Sequence, residues 1–262
     1  VLVAGWPKSA DAQLVLASSY ALIGRHADAL KAADAALALD PRSAGALVTR
    51  GAALGGLGRV EEAIEASRQA VALAPDSRAA LGNLASFLAG SGDRRGEAEV
   101  LGRLVALEPD DLEVRARRAR SLAASGDAGG ALAEAESIVR VDPSRADVRL
   151  LMAAALLDLD RPEEAMDHAD AAARLDPENA DAVEVFRAAF YIAVASKLSC
   201  AHGPRPWADA DVEAELDRFR RQGLDTASAF LAIDAAFGSR PEVRARIARA
   251  ATRCRNAGGE GP

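Results

Sequence analysis

LALDPRSA, residues 37–44, is the stretch on which the reading of this chain turns. An apolar, helix-like run ends at Asp-Pro, and a short polar segment follows. The same arrangement returns as ALAPDSRA (72–79), ALEPDDLE (106–113), RVDPSRAD (140–147) and RLDPENAD (174–181). Pro41, Pro75, Pro109, Pro143 and Pro177 are spaced by 34 residues without exception. One step back falls on Pro7, within the opening VLVAGWPKS. A fixed period of this length marks a stack of similar units, each too small to bury its apolar face alone.

Each period predicts two helices. The first ends near Gly24, Gly58, Gly92 or Gly126, where glycine permits positive φ in a tight turn. The second ends just before the proline, which cannot continue a helix interior. Small residues recur where helix axes must approach: Ala17, Gly51, Ala85, Ala119 and Ala153 in the first helices, Ala29, Ala63, Ala131 and Ala165 in the second. Leu39, Leu73, Leu107, Val141 and Leu175 recur two residues before each proline and are expected to close the core between units. The 262-residue chain is 50% apolar but only 4% aromatic, so this core is one of Ala, Leu and Val.

With Gly or Ala in helix one, Gly in the turn, Ala early in helix two and Asp-Pro at the end, the repeat resembles the tetratricopeptide repeat (TPR) family. The resemblance covers residues 10–179 as five units, 10–43, 44–77, 78–111, 112–145 and 146–179. Residues 1–9 read as the end of a further second helix, too short for a signal peptide's apolar region. The resemblance implies an all-α fold, a right-handed TPR α-solenoid, closed here by a C-terminal helical cap module. Five departures stand out. Glu97 occupies an Ala position and Leu104 a later one, so that helix pair is expected to splay or shift. Asp160 replaces a turn Gly. Arg50 and Arg118 stand where a buried Leu is usual, with stems in the core and heads in water.

The proline spacing stops after Pro177, and seven of the ten aromatic residues lie beyond residue 185. Residues 180–256 therefore read as a separate helical module, with residues 257–262 a disordered tail. A long apolar helix over 180–199 precedes the loop AHGPRPW. Three helices are predicted after it: DADVEAELDRFRR with Val212, Leu216 and Phe219 on one face, DTASAFLAIDAAF capped by Asp225, and SRPEVRARIARAATRCR. The last has Ser239 and Glu242 at capping-box spacing. This stretch is similar to the helical link of bacterial TPR-containing O-GlcNAc transferase and SPINDLY-like proteins. It contains no catalytic motif.

Charge and composition exclude several classes. Residues 1–179 carry 20 basic and 28 acidic side chains, the remainder 12 and 11. An acidic repeat region repels phosphate backbones, which argues against nucleic acid. No apolar run reaches the length of a membrane span. His26, His168 and His202 are scattered, and Cys200 with His202 makes a lone CxH, too few ligands for a metal. The acidic run Asp209–Asp217 reads as a solvated helix start. No phosphate loop, zinc-protease or nucleophile motif is present, so no catalysis, cofactor or metal is expected. Cys200 and Cys254 read as idle thiols in a reducing compartment, which with the rest suggests a cytoplasmic protein. The basic last helix, with Arg244, Arg246, Arg249, Arg253 and Arg255, reads as a solvated face or a dock against the acidic repeats.

By the family register, the first helices line a concave groove. Its inward positions are Leu14, Ser18, Val48, Ala52, Asn83, Ser86, Arg117, Arg120, Leu150 and Ala154. The family's carboxylate clamp would need Lys, Asn and Arg where Leu14, Ser18, Val48 and Ala52 stand, so it is absent. The asparagine ladder of O-GlcNAc transferases has one rung, Asn83, at a site otherwise read as Val15, Thr49, Arg117 and Leu151. Arg117 and Arg120 are three apart and share a face. The expected function is a non-catalytic scaffold binding a partner peptide or helix with apolar anchors and one acidic group. Two alternatives stand beside it: the recognition arm of an O-glycosyltransferase-like enzyme, and a self-assembly module stacking through its repeat ends.

Overall fold

The computed structural model describes residues 9–202, together with residues 212, 217, 240, 241 and 243–249. The opening VLVAGWPK, the loop after residue 202, most of the first two of the three helices expected after it, the Ser239–Glu242 capping pair and residues 250–262 lie outside the described residues. The first helices of successive repeats are α1 (Ala10–Leu22), α3 (Ala44–Gly56), α5 (Arg78–Ser91), α7 (Leu112–Ala124), α9 (Ala146–Asp158) and α11 (Ala180–His202). Their partners are α2 (His26–Leu39), α4 (Val60–Leu73), α6 (Arg94–Leu107), α8 (Ala128–Val141) and α10 (Pro162–Leu175). Both series start every 34 residues, from 10 and from 26 respectively. No strand occurs among the described residues. The chain divides into two units, Val1–Asp127 and Ala128–Pro262.

Local chemistry sets these boundaries. The residue two after each proline immediately precedes a first helix. The hydroxyls of Ser9, Ser43 and Ser77 accept from the backbone N–H of Ala12, Ala46 and Ala80, and Asp111 and Asn179 do the same for Val114 and Ala182. At the turn between paired helices, Gly24, Gly58, Gly92 and Gly126 take φ of 74°, 74°, 85° and 86°. Asp160 keeps the same left-handed conformation at φ 57°, without glycine's freedom. α2, α4 and α10 begin on an Arg–acid pair across three residues: Arg25–Asp28, Arg59–Glu62 and Arg161–Glu164. There the guanidinium hydrogen bond holds the Glu62 and Glu164 carboxyls below their ordinary range.

Close approach follows the small residues. Ala17, Ala29, Ala63, Ala85, Ala119, Ala131, Ala153 and Ala165 are all fully buried. A Cβ at Gly51 would stand 2.9 Å from Ser67 Oγ, so α3 and α4 meet where no side chain fits. Around them in the first unit, Leu47, Ile64, Leu81, Leu84, Leu88, Leu101 and Leu104 form one apolar cluster. Leu104, a departure from the Ala pattern, is thus simply core.

Two expectations are corrected. Leu39, Leu73, Leu107, Val141 and Leu175 do not close the core: each is the last residue of its helix and is exposed, from 37% at Leu73 to 69% at Val141. Their place along the helix is the reason. On α4, Leu73 lies on the same side as buried Ala66 and Ala70, but as the last residue of the helix it stands past the packed length. Nor is Cys200 an idle thiol. It sits at the exposed end of α11 and is disulfide-bonded. Arg50 behaves as expected: its Nε donates to Asp34 of α2 at 2.9 Å while its stem stays half-buried.

α11 differs from the other first helices. It is longer, and from Ala189 to Ser196 every residue is buried. A helix apolar on all sides belongs inside a structure rather than on its surface. Its aromatic residues Phe190 and Tyr191 are 2% and 0% exposed.

Candidate functional site

In the first unit, the expected groove residues stand on α1, α3, α5 and α7. Leu14, Ser18, Val48, Ala52, Asn83 and Arg117 are half-buried, and Ser86 and Arg120 are exposed. Polar bonds tie successive first helices along this row. The hydroxyls of Ser18 and Thr49 are 3.4 Å apart, and Asn83 Nδ2 donates to the Val48 carbonyl at 3.2 Å. Arg117 Nη1 donates to Ser86 Oγ at 3.3 Å. The row therefore joins Val48 with Asn83 and Ser86 with Arg117. Thr49 is the member that the inward list lacks.

The strongest feature of the row is one that pattern alone does not explain. Glu97, at an alanine position of α6, is 2% exposed. α6 runs unbroken through it, and the carboxylate is satisfied rather than expelled. Arg117 Nε donates to its Oε1 at 2.8 Å, and Arg94 Nη1 to its Oε2 at 3.0 Å. A buried carboxylate requires this kind of pairing. Arg117 is thereby held in place by a group behind it. Beside it is a pocket of about 290 Å³ lined by Arg94, Glu97, Arg117, Arg120, Ser121 and Ala124. Three guanidinium groups and one carboxylate line it. Its volume suits a single side chain rather than a cofactor.

In the second unit, Leu150 and Ala154 are half-buried on α9. Asp158 follows four residues later on the same face. It receives Arg246 Nη2 at 2.6 Å. Asp160 accepts two bonds from Arg249, at 3.1 and 3.2 Å, and Glu184 of α11 accepts from Arg240 Nη1 at 3.2 Å. The basic last helix thus docks against acidic residues of its own unit, one of the two readings its charge allowed.

His168 of α10 is half-buried, and its Nδ1 has no hydrogen-bond partner. Burial holds it below the usual imidazole range and Arg149 of α9 pushes the same way, against Asp167 and Glu164 of α10 and Glu136 of α8. The fold therefore favours neutral His168, while the unfolded chain takes up its proton near pH ~6.5. Stability from this group is present above that pH and lost as pH falls below it. Urea midpoints are expected to fall between pH 7.5 and 5.5, and His168→Gln to flatten the slope. An unchanged slope in the variant would refute the assignment.

Among the described residues, no group of three His, Cys, Asp or Glu side chains could hold a metal, and no helix is long and apolar enough to cross a membrane.

Comparison with known proteins adds the following. Models described as tetratricopeptide repeats match residues 2–44, 44–77 and 122–185. The crystal structure of YrrB, described as a TPR protein with an unusual peptide-binding site, is similar with a TM-score of 0.64 at 21% identity, over 70% of this chain and 94% of that one. A crystal structure of MamA is similar with a TM-score of 0.57 at 18% identity, over 67% and 95%. A second MamA structure gives 0.58 at 22%, over 65% and 93%. At these identities the likeness is one of fold. No curated protein matches the sequence.

Proposed function

This chain belongs to the tetratricopeptide repeat family, an all-α solenoid of protein-interaction scaffolds, and from that premise we propose that its first unit binds an extended peptide or helix of a partner protein along the row Leu14–Arg120. The observation that carries this reading is the buried Glu97 holding Arg117 at the pocket between α6 and α7. A charge fixed from behind is pre-organised, so little ordering is left for binding. The partner has apolar anchors for Val48 and Ala52 and one carboxylate for the pocket. No chemistry is assigned to the row, which carries no nucleophile–base pair. The disulfide at Cys200 speaks for an oxidising compartment, against the cytoplasmic location expected from composition.

Selection from a random peptide library on the full chain tests this. Enriched peptides are expected to share one acidic residue beside aliphatic ones. Arg120→Glu is expected to weaken them by about tenfold, read by fluorescence anisotropy, since reversing a rim charge replaces attraction by repulsion. Arg120 suits the test better than Arg117, whose reversal would set two carboxylates together in the core. No enrichment, or peptides indifferent to Arg120→Glu, would reject the reading.

A further inference from the structure

The arginines of residues 240–249 meet an acidic surface beside the groove register. Leu150, Ala154 and Asp158 share one face of α9, and Glu184 stands 34 residues after Leu150, at the same register on α11. Of the three acidic residues, Glu184 falls at the groove register, while Asp158 and Asp160 lie at the end of α9 and in the turn after it. Arg240 reaches Glu184, Arg246 reaches Asp158, and Arg249 takes Asp160 with two bonds. Val243 lies between these arginines in sequence and is 5% exposed, an apolar anchor among ionic contacts.

We propose that the acidic face formed by Asp158, Asp160 and Glu184 is a binding surface for a basic amphipathic helix of a partner protein, and that the chain's own C-terminal helix occupies it as an internal competitor. This does not depend on the anion pocket of the first unit, and it calls for the opposite ligand charge. The contacts fit a reversible occupant. Asp158 and Glu184 are 54% and 58% exposed in their pairs, and such exposed pairs are individually weak and salt-sensitive. A tethered helix still wins against a free one, because its effective concentration is on the order of millimolar. An incoming helix must therefore present the same features, arginines three residues apart beside an aliphatic anchor, and bind more tightly. Asp160 supports this view. It holds a left-handed backbone that glycine fills in four other repeats, and its side chain is what Arg249 requires.

The test uses the full chain and a labelled synthetic peptide of residues 239–252 as the probe. In Arg246→Glu/Arg249→Glu the internal helix loses its ionic hold. The peptide is expected to bind this variant at least tenfold more tightly than wild type, to weaken as salt is raised, and to lose binding when Asp158→Lys is added. Arg246→Ala/Arg249→Ala, which removes the charges without repulsion, is expected to behave alike and serves if the reversed variant melts early by circular dichroism. Equal affinity for wild type and both variants would overturn the proposal, as would absence of binding to either variant. A wild-type chain that light scattering shows to be a dimer, dissociating on Arg246→Ala/Arg249→Ala, would overturn the internal occupancy in favour of exchange between copies.

Discussion

Arg117→Ala is expected to destabilise the first unit by about 3 kcal/mol, because it strands most of a buried carboxylate. Glu97 is 2% exposed, and without Arg117 only the more exposed Arg94 still reaches it. In a unit of this size the loss lowers the melting temperature by roughly 10 °C. Glu97→Ala is expected to be nearly neutral despite removing the same ion pair. Alanine fills the equivalent site at Ala29, Ala63, Ala131 and Ala165 with no exposure, so the smaller residue fits. Arg117, one-third exposed, can then turn to water. The double variant is accordingly expected to recover most of what Arg117→Ala loses. Circular dichroism melts of the three variants decide it. If Glu97→Ala proves as damaging as Arg117→Ala, or the double variant recovers nothing, the carboxylate is not the source of the cost. The same reasoning gives Glu97 a positioning role: in Glu97→Ala a stable protein should bind groove peptides less well.

Tyr191→Ala is expected to cost the second unit about 3–5 kcal/mol, the range for emptying a large aromatic site in a core. Tyr191 is fully buried within the stretch of α11 where no residue faces water. Its neighbours Phe190, Ile192 and Val194 are buried on all sides and cannot close the gap without moving the helix. Tyr191→Phe keeps the ring and removes only the hydroxyl, so it separates packing from hydrogen bonding and is expected to cost about 1–2 kcal/mol. Denaturant midpoints at constant slope measure both. A Tyr191→Ala midpoint within about 1 kcal/mol of wild type would mean that α11 is not core.

The proline and glycine spacing carried the helix boundaries. A proline at a fixed place, a capping side chain two residues on and a glycine at the turn act within one repeat, so their effect can be read from a short window. The burial of Ala63 or Ala131 is legible for the same reason, since each repeat meets a neighbour like itself. The exposure of Leu73 and Val141 is not legible in this way, because recurrence says that a position is equivalent in every unit, not whether the helix is still packed at that point. At a helix end, a side chain on the packed face still meets water when its neighbour no longer covers it.

The departures from the pattern were visible as departures, but not as partners. Glu97 breaks the alanine rule plainly, yet its bond to Arg117 joins residues 20 apart on different helices. Asp160 breaks the glycine rule just as plainly, and its partner Arg249 is 89 residues away. Cys200 looked like a thiol because nothing near it in sequence pairs with it. By itself, then, the sequence of this protein determined a 34-residue helical repeat, its turns and its close contacts, because these arise from backbone conformation and size at neighbouring positions. Only the tertiary structure decided which charges meet. Hydrogen bonds and ion pairs need atoms within about 3 Å, and side chains from distant repeats reach that distance only once the helices have packed.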